Sequence, residues 1–315
     1  MARYLGRRLV TLLPLLFLVA VIAFTLVRLT PGDPAAVVAG PDATPADVER
    51  IRRSMGLDAP IGLQFARWMK QVFVNADLGD SLVLNQPVLD LILERAQPTL
   101  LLALVGGLFT VLMGFPLGIL AAVRHNTWVD RVLMAAAILG LSIPNFWLGL
   151  LLVLAFSIHW SLLPPAGFQP LQEGGIAAVR YLILPGIAIG ASNAAFLARM
   201  VRSSMLDVLR HDFVRTARAK GLRGFVVLHR HVLKNAMIPP LTVLGLLVAN
   251  LASGTVIVEI VFNVPGAGRL LINSVARRDY PVMQGMIVIT ALIYVVANAT
   301  VDILYGVLDP RVRYE

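Results

Sequence analysis

The sequence predicts an all-α, polytopic membrane protein, and three observations predict it. Hydrophobic residues make up 58% of the chain and charged residues only 14%, with a mean hydropathy of +0.79, a balance foreign to soluble domains. Several uncharged runs are long enough to cross a hydrocarbon core of about 30 Å at about 1.5 Å per residue. Lys and Arg gather in the short loops on one side of those runs, as cytoplasmic loops do. That bias accounts for the formal net charge of +9 without nucleic acid as a partner. No cysteine occurs, which excludes disulfides, thiol chemistry and cysteine metal sites.

Leu9 to Val27 is uncharged and follows Arg3, Arg7 and Arg8. It is long enough to span, and no small-x-small cleavage site precedes Thr30 to Pro34, so a retained first span is expected, kinked at Pro14, with its amino end inside the cell. Arg28 to Arg95 is the one long polar excursion, expected as a small helical external region. Thr44-Pro45-Ala46-Asp47 offers an N-cap, a proline at the first helical position and an acid two further on, so a helix starts there and stops at Gly56. Ile61 to Val74, with Trp68, gives a second helix and Val88 to Arg95 a third.

Ala96 to Val123 and Val132 to Ile158 are expected as the second and third spans, joined by a cytoplasmic loop from Arg124 to Arg131. His159 to Arg180, rich in Pro and Gly, is the opposite, external loop. Tyr181 to Ala198 is the fourth span, Asn235 to Val258 the fifth, and Tyr280 to Val301, completed over 302–308, the sixth. Six spans place both termini in the cytoplasm. Pro116, Pro144, Pro185 and Pro239 are expected kinks.

Phe213 to Pro240 breaks the apolar pattern. Arg215, Arg218, Lys220, Arg223, Arg230 and Lys234 stand among apolar residues, and Gly221 and Gly224 punctuate them, which predicts a short helix, a glycine turn and a second short helix. So charged a segment cannot lie in hydrocarbon and is held at one membrane face between two spans. A basic juxtamembrane helix suits the anionic headgroups of membrane lipid. Thr216, Ala217, Ala219 and Gly221 are small, which favours a protein partner whose backbone approaches closely.

These residues carry a resemblance. The segment resembles the cytoplasmic loop of permease subunits of binding-protein-dependent ABC importers, whose pattern is Glu-Ala-Ala, three residues, Gly, and later Ile-x-Leu-Pro. Arg215, Thr216, Ala217 and Gly221 keep the spacing; Arg215 stands where the pattern has Glu, Thr216 where it has Ala, and the later positions read His231, Leu233 and Lys234. Those departures match the dipeptide/oligopeptide branch, which reads RTARAKG and then RH.LRNA.IP. The resemblance continues at Pro31 to Pro34, Gly56 to Pro60, Asp77 to Ser81, Pro87 to Arg95 and Ser142 to Trp147, and so covers essentially the whole chain.

The resemblance implies a type I ABC importer permease of six transmembrane helices: one transmembrane domain over 1–315, an external helical cap over 28–95 where a binding protein docks, and a cytoplasmic ATPase-coupling loop over 199–236. Arg215, Thr216, Ala217, Arg218, Ala219, Lys220 and Gly221 would form the ATPase contact. The partners it implies are a second homologous permease, two cytoplasmic ATPases that hold ATP and magnesium, and an external substrate-binding protein, in the cytoplasmic membrane of a bacterium. Dipeptides, short oligopeptides or glutathione are the expected cargo, with nickel as the alternative.

No G-x-x-x-x-G-K-[ST], H-E-x-x-H or G-x-S-x-G occurs, so no catalytic residue is expected and the energy comes from a partner or an ion gradient. His229 and His231, two apart, do not share a helix face, and with His211 they are expected as loop histidines rather than metal ligands. Asn298 and Asp302, four apart in the last span, belong either to a substrate path or to a structural polar pair; Glu259, at the outer end of its span, is equally open. A secondary transporter working alone would need intramembrane carboxylates or broken helices in symmetric halves. Only Asp302 lies firmly inside an expected span.

Overall fold

The computed structural model describes residues 2–29, 33–40, 42–241, 243–245, 247 and 255–308, with side chains described from 14 to 296 apart from 27. Among them every regular element is a helix, and an isolated bridge between Asp80 and Pro87 closes a turn. The chain divides into two compact units, one drawn from 1–97 and 267–315, the other from 98–266.

In the first unit the helices Ala2–Leu29 and Tyr280–Leu308 pack side by side. The polar excursion folds into short helices for the reasons its sequence offers. Asp33 accepts from the Ala35 N–H at 3.0 Å and starts Pro34–Ala39. Thr44 and Asp47 form a reciprocal capping box that starts Pro45–Ser54, satisfying donors that a helix N-terminus otherwise leaves unpaired. That helix ends as expected at Gly56, whose φ of +66° is left-handed backbone. Phe17 and Phe24 of the first helix meet Phe65 and Trp68 of Ile61–Phe73 in edge-on and tilted contacts. Val88, Leu91 and Ile92 pack with Leu270, Val282 and Met286.

Ser81 and Asp279 supply the polar clasp of this unit. Both are buried; the Ser81 hydroxyl donates to Asp279 and the Leu82 N–H donates to its other oxygen at 3.1 Å. The Asp77 to Ser81 landmark is thereby tied to the start of Tyr280–Leu308.

The second unit is built on two long helices, the first of which enters it at Pro98. Val88–Val123, 36 residues, joins what the sequence suggested were a separate short helix and the second span. No cap or glycine separates Arg95 from Ala96, and the proline that follows, Pro98, costs one backbone bond without ending the helix. Ile176–Leu209, 34 residues, likewise runs past the expected end of the fourth span. At about 1.5 Å per residue both exceed the hydrocarbon thickness and project beyond it.

These helices approach closely because glycines line the crossing. A Cβ on Gly190 would meet the Gly106 carbonyl oxygen at 2.5 Å, and one on Gly118 would meet the Ala198 carbonyl oxygen at 2.6 Å. The Thr110 hydroxyl donates to the Gly106 carbonyl at 2.8 Å and reaches the Gly190 carbonyl at 3.2 Å, the kind of glue that small-residue crossings use in membranes.

The run expected as the third span is broken rather than kinked. Trp128–Ser142 and Asn145–His159 meet at 107°, because Ile143 before Pro144 is held in extended backbone (φ −80°, ψ 122°) and cannot continue the helix. The second piece opens as α-helix over Asn145–Leu152 and continues in π-helical turns over Val153–His159. Among the described residues, Val88–Val123 and Ile176–Leu209 are each long and apolar enough to cross a membrane, the bent pair is long and apolar enough only when its two pieces are taken together, and Pro14–Leu26 and Tyr280–Val296 are shorter apolar helices. Much of the expected fifth span lies outside the described residues.

Candidate functional site

The polar segment grows out of the end of Ile176–Leu209. That helix closes with Arg210 N–H on the Asp207 carbonyl and His211 N–H on the Val208 carbonyl, and the extended His211 redirects the chain. A new helix then runs over Asp212–Ala219 with Asp212 in its first turn and Arg218 in its last, both favourable to the helix dipole. It ends in a left-handed glycine motif: Gly221 (φ +77°) donates to the Arg218 carbonyl at 2.9 Å, and Leu222 donates to the Ala217 carbonyl at 3.4 Å. The expected helix, glycine turn and second helix are all present. The return limb is Gly224–Val226, then π-helical turns over Val227–Leu233, then Lys234–Ala236. Its wide turns were not legible in the sequence.

The short helix has two faces. Val214 and Ala217 are buried in a core shared with Ala122, Val201, Met205, Val227, Val232 and Ala236, while Arg215, Thr216, Arg218, Ala219, Lys220 and Gly221 are exposed. Of the residues singled out in sequence, Ala217 therefore anchors the helix and the other six form its outward face. The Thr216 hydroxyl donates to the Asp212 carbonyl at 2.9 Å. Arg215 lies 3.7 Å from Asp212 in a fully solvated pair, a contact worth little, so its guanidinium is available to a partner. No atom lies within 4 Å of where a Cβ on Gly221 or Gly224 would sit, so the turn is open on its outer side.

The segment is fastened at its base. The Ser204 hydroxyl donates to the Ala236 carbonyl at 2.6 Å, bonding outgoing helix to returning limb. Arg202, two residues earlier, makes a paired contact with Asp130: Nε to Oδ1 at 2.6 Å and Nη2 to Oδ2 at 2.8 Å. The Asn126 N–H donates to the same carboxylate at 3.0 Å. Asp130 is 3% exposed, and the Arg202 bonds hold its carboxyl down to about 2, outweighing the burial that pushes it up. Sequence reasoning placed both residues in polar segments but missed their pairing, since nothing local joins positions 72 apart.

Elsewhere in this unit Glu259 is fully buried and accepts from the Thr99 hydroxyl at 2.7 Å. It packs where a Cβ on Gly266 would stand, 2.3 Å from its carboxyl carbon, a structural fit. Asn298 and Asp302 lie on the Tyr280–Leu308 helix, but their side chains are outside those described. No group of three or more metal-ligating side chains occurs among the described residues.

Two family models match this chain: the inner membrane component of binding-protein-dependent transport systems over residues 114–314, and the N-terminal part of such membrane components over 1–103. The chain belongs to this family. Similar to this inner membrane component over its full length, at 43% identity and covering 100% of both chains, is a glutathione transport system permease of Escherichia coli O6:H1. A putative peptide transport system permease of Brucella abortus (strain 2308) is 41% identical over 98% of each chain, and a probable peptide ABC transporter permease of Sinorhizobium fredii is 41% identical over 100% of each. A crystal structure titled as an amino acid ABC transporter with histidines aligns with a TM-score of 0.53 at 16% identity, covering 69% of this chain and 94% of that one; it supports the importer-permease fold. The polar segment lies wholly within the first matched region.

Proposed function

We propose that this permease is one half of the pore of a bacterial peptide importer and that 199–236 is its ATPase-coupling loop. The cargo is a dipeptide, a short oligopeptide or glutathione, with nickel as the alternative; relatives similar over the full length bear the names of peptide and glutathione systems. The single observation that carries the coupling role is the two-faced Asp212–Ala219 helix, seated by Val214 and Ala217 with Arg215, Thr216, Arg218, Ala219, Lys220 and Gly221 turned outward. A second homologous permease completes the pore, two cytoplasmic ATPases bind ATP and magnesium, and an external binding protein delivers cargo to the 28–95 region. Six spans place both termini in the cytoplasm.

In this mechanism closure of the ATPases displaces the short helix, whose buried face passes the movement to the second and fourth spans. The ATPases shift the inward-open and outward-open populations only by their differential affinity for the two states. A permease without a P-loop therefore depends on the fidelity of that contact. Asn298 and Asp302 remain candidates for the substrate path or for a structural polar pair in the last span.

The test is uptake into proteoliposomes containing the complete transporter. ATP-dependent accumulation of a labelled dipeptide, tripeptide or glutathione, requiring the ATPases and the binding protein, is expected. Uptake by this chain alone, driven by a proton gradient, would overturn the proposal.

A further inference from the structure

Asp130 opens the Trp128–Ser142 helix and is buried, although Arg124 to Thr127 just before it are exposed. Its partner Arg202 lies in Ile176–Leu209, about two turns before the end of that helix. Only Arg210 and His211 then separate the helix from the coupling helix at Asp212. The same stretch is held on its other sides: Val201 and Met205 pack in the core that seats Val214 and Ala217, and Ser204 is bonded to Ala236.

A close-packed core transmits displacement because it has no slack to absorb it. Movement of the coupling helix is therefore carried into 201–205, and the fork of two parallel bonds fixes both the distance and the orientation of Asp130 relative to that stretch. His125 joins the group, its Nδ1 3.2 Å from Arg202 Nη2 and 3.3 Å from Asp130 Oδ2. Beyond Asp130 the helix leads to the break at Ile143 and Pro144, where the span turns by 107°. A buried ion pair gives little stability that apolar residues would not give equally; what it adds here is a directional connection at the base of the segment.

We propose that the Asp130–Arg202 pair is the joint through which the coupling segment moves the broken third span, with both residues acting as positioning residues for transport. The inference rests on the coupling role proposed above and extends it to a second element.

The complete transporter is reconstituted with Asp130→Asn and, separately, Arg202→Lys, and subunit recovery, ATP hydrolysis and labelled-peptide uptake are read on the same vesicles. Wild-type uptake tests the importer reading itself. The joint predicts that both variants retain their subunits and hydrolyse ATP while uptake per ATP falls about tenfold for Asp130→Asn and less for Arg202→Lys, whose ammonium keeps the charge without the fork. Uptake per ATP at the wild-type value in either assembled variant overturns the proposal. Should Asp130→Asn fail to assemble, Arg202→Lys decides, and failure of both to assemble makes the pair a folding element and also overturns it.

Discussion

Two opposite kinds of glycine chemistry mark the polar segment and, before it, the Ile176–Leu209 helix. Along its middle, Gly190 is required because a side chain would strike the backbone of Val88–Val123. Past the end of the next helix, Asp212–Ala219, Gly221 faces open space and is required only for its left-handed φ of +77°. The first region is closed on both sides and holds the unit together. The second is closed on one side by Val214 and Ala217 and open on the other. The same residue type thus marks a fixed contact in one place and an open turn in the other.

The largest effect is expected from Gly190→Val. With the Gly106 carbonyl 2.5 Å from the new Cβ, a loss of about 3 kcal/mol or more is expected, seen as aggregation or a collapsed melting temperature in detergent. A variant that melts like wild type would show that the two helices are not locked there.

A smaller effect is expected at the base of the segment. The Asp130 carboxyl is held down to about 2 in the folded chain against about 3.9 unfolded. Its contribution, on the order of 2 kcal/mol, is thus fully present above about pH 4 and lost as pH falls towards 2. The difference in stability between wild type and Asp130→Asn should shrink over that acid range. A difference independent of pH would mean the pair carries no such linkage.

At Gly221 the requirement is conformational, so Gly221→Ala should cost about 1 kcal/mol and Gly221→Asn less, because Asn tolerates left-handed backbone. Hydrogen exchange over 212–222 reads this directly. Equal damage from both would point to a steric contact instead. Smallest is Thr44→Ala, a control remote from both regions: losing the capping-box hydroxyl should weaken Pro45–Ser54 by roughly 0.5 to 1 kcal/mol, seen as faster exchange in that helix alone.

The helical character, the caps at Thr44 and Gly56 and the helix–glycine–helix form around Gly221 were legible because each rests on local chemistry. So was a disturbance at Pro144, though the sequence suggested a kink and the bend is 107°, since sequence marks where a helix fails and packing decides by how much. The continuity of Val88–Val123 through Pro98 was missed because a proline alone does not reveal whether neighbouring contacts sustain the helix. Six of the seven residues singled out around Gly221 lie exposed together, but the inward turn of Ala217 depends on the register of the helix on its core. The Asp130–Arg202 and Thr99–Glu259 bonds join residues far apart in sequence, and no local pattern announces them.

In the proposed mechanism the open face around Gly221 transmits work. Its most direct test is uptake per ATP hydrolysed, measured on the same proteoliposomes for wild type and Gly221→Asp, with Gly221→Asn as the control for folding. Gly221→Asp is expected to keep its subunits and lose about tenfold of uptake per ATP, as a carboxylate intrudes on the proposed basic docking face. Assembled Gly221→Asp transporter with the wild-type ratio would contradict it.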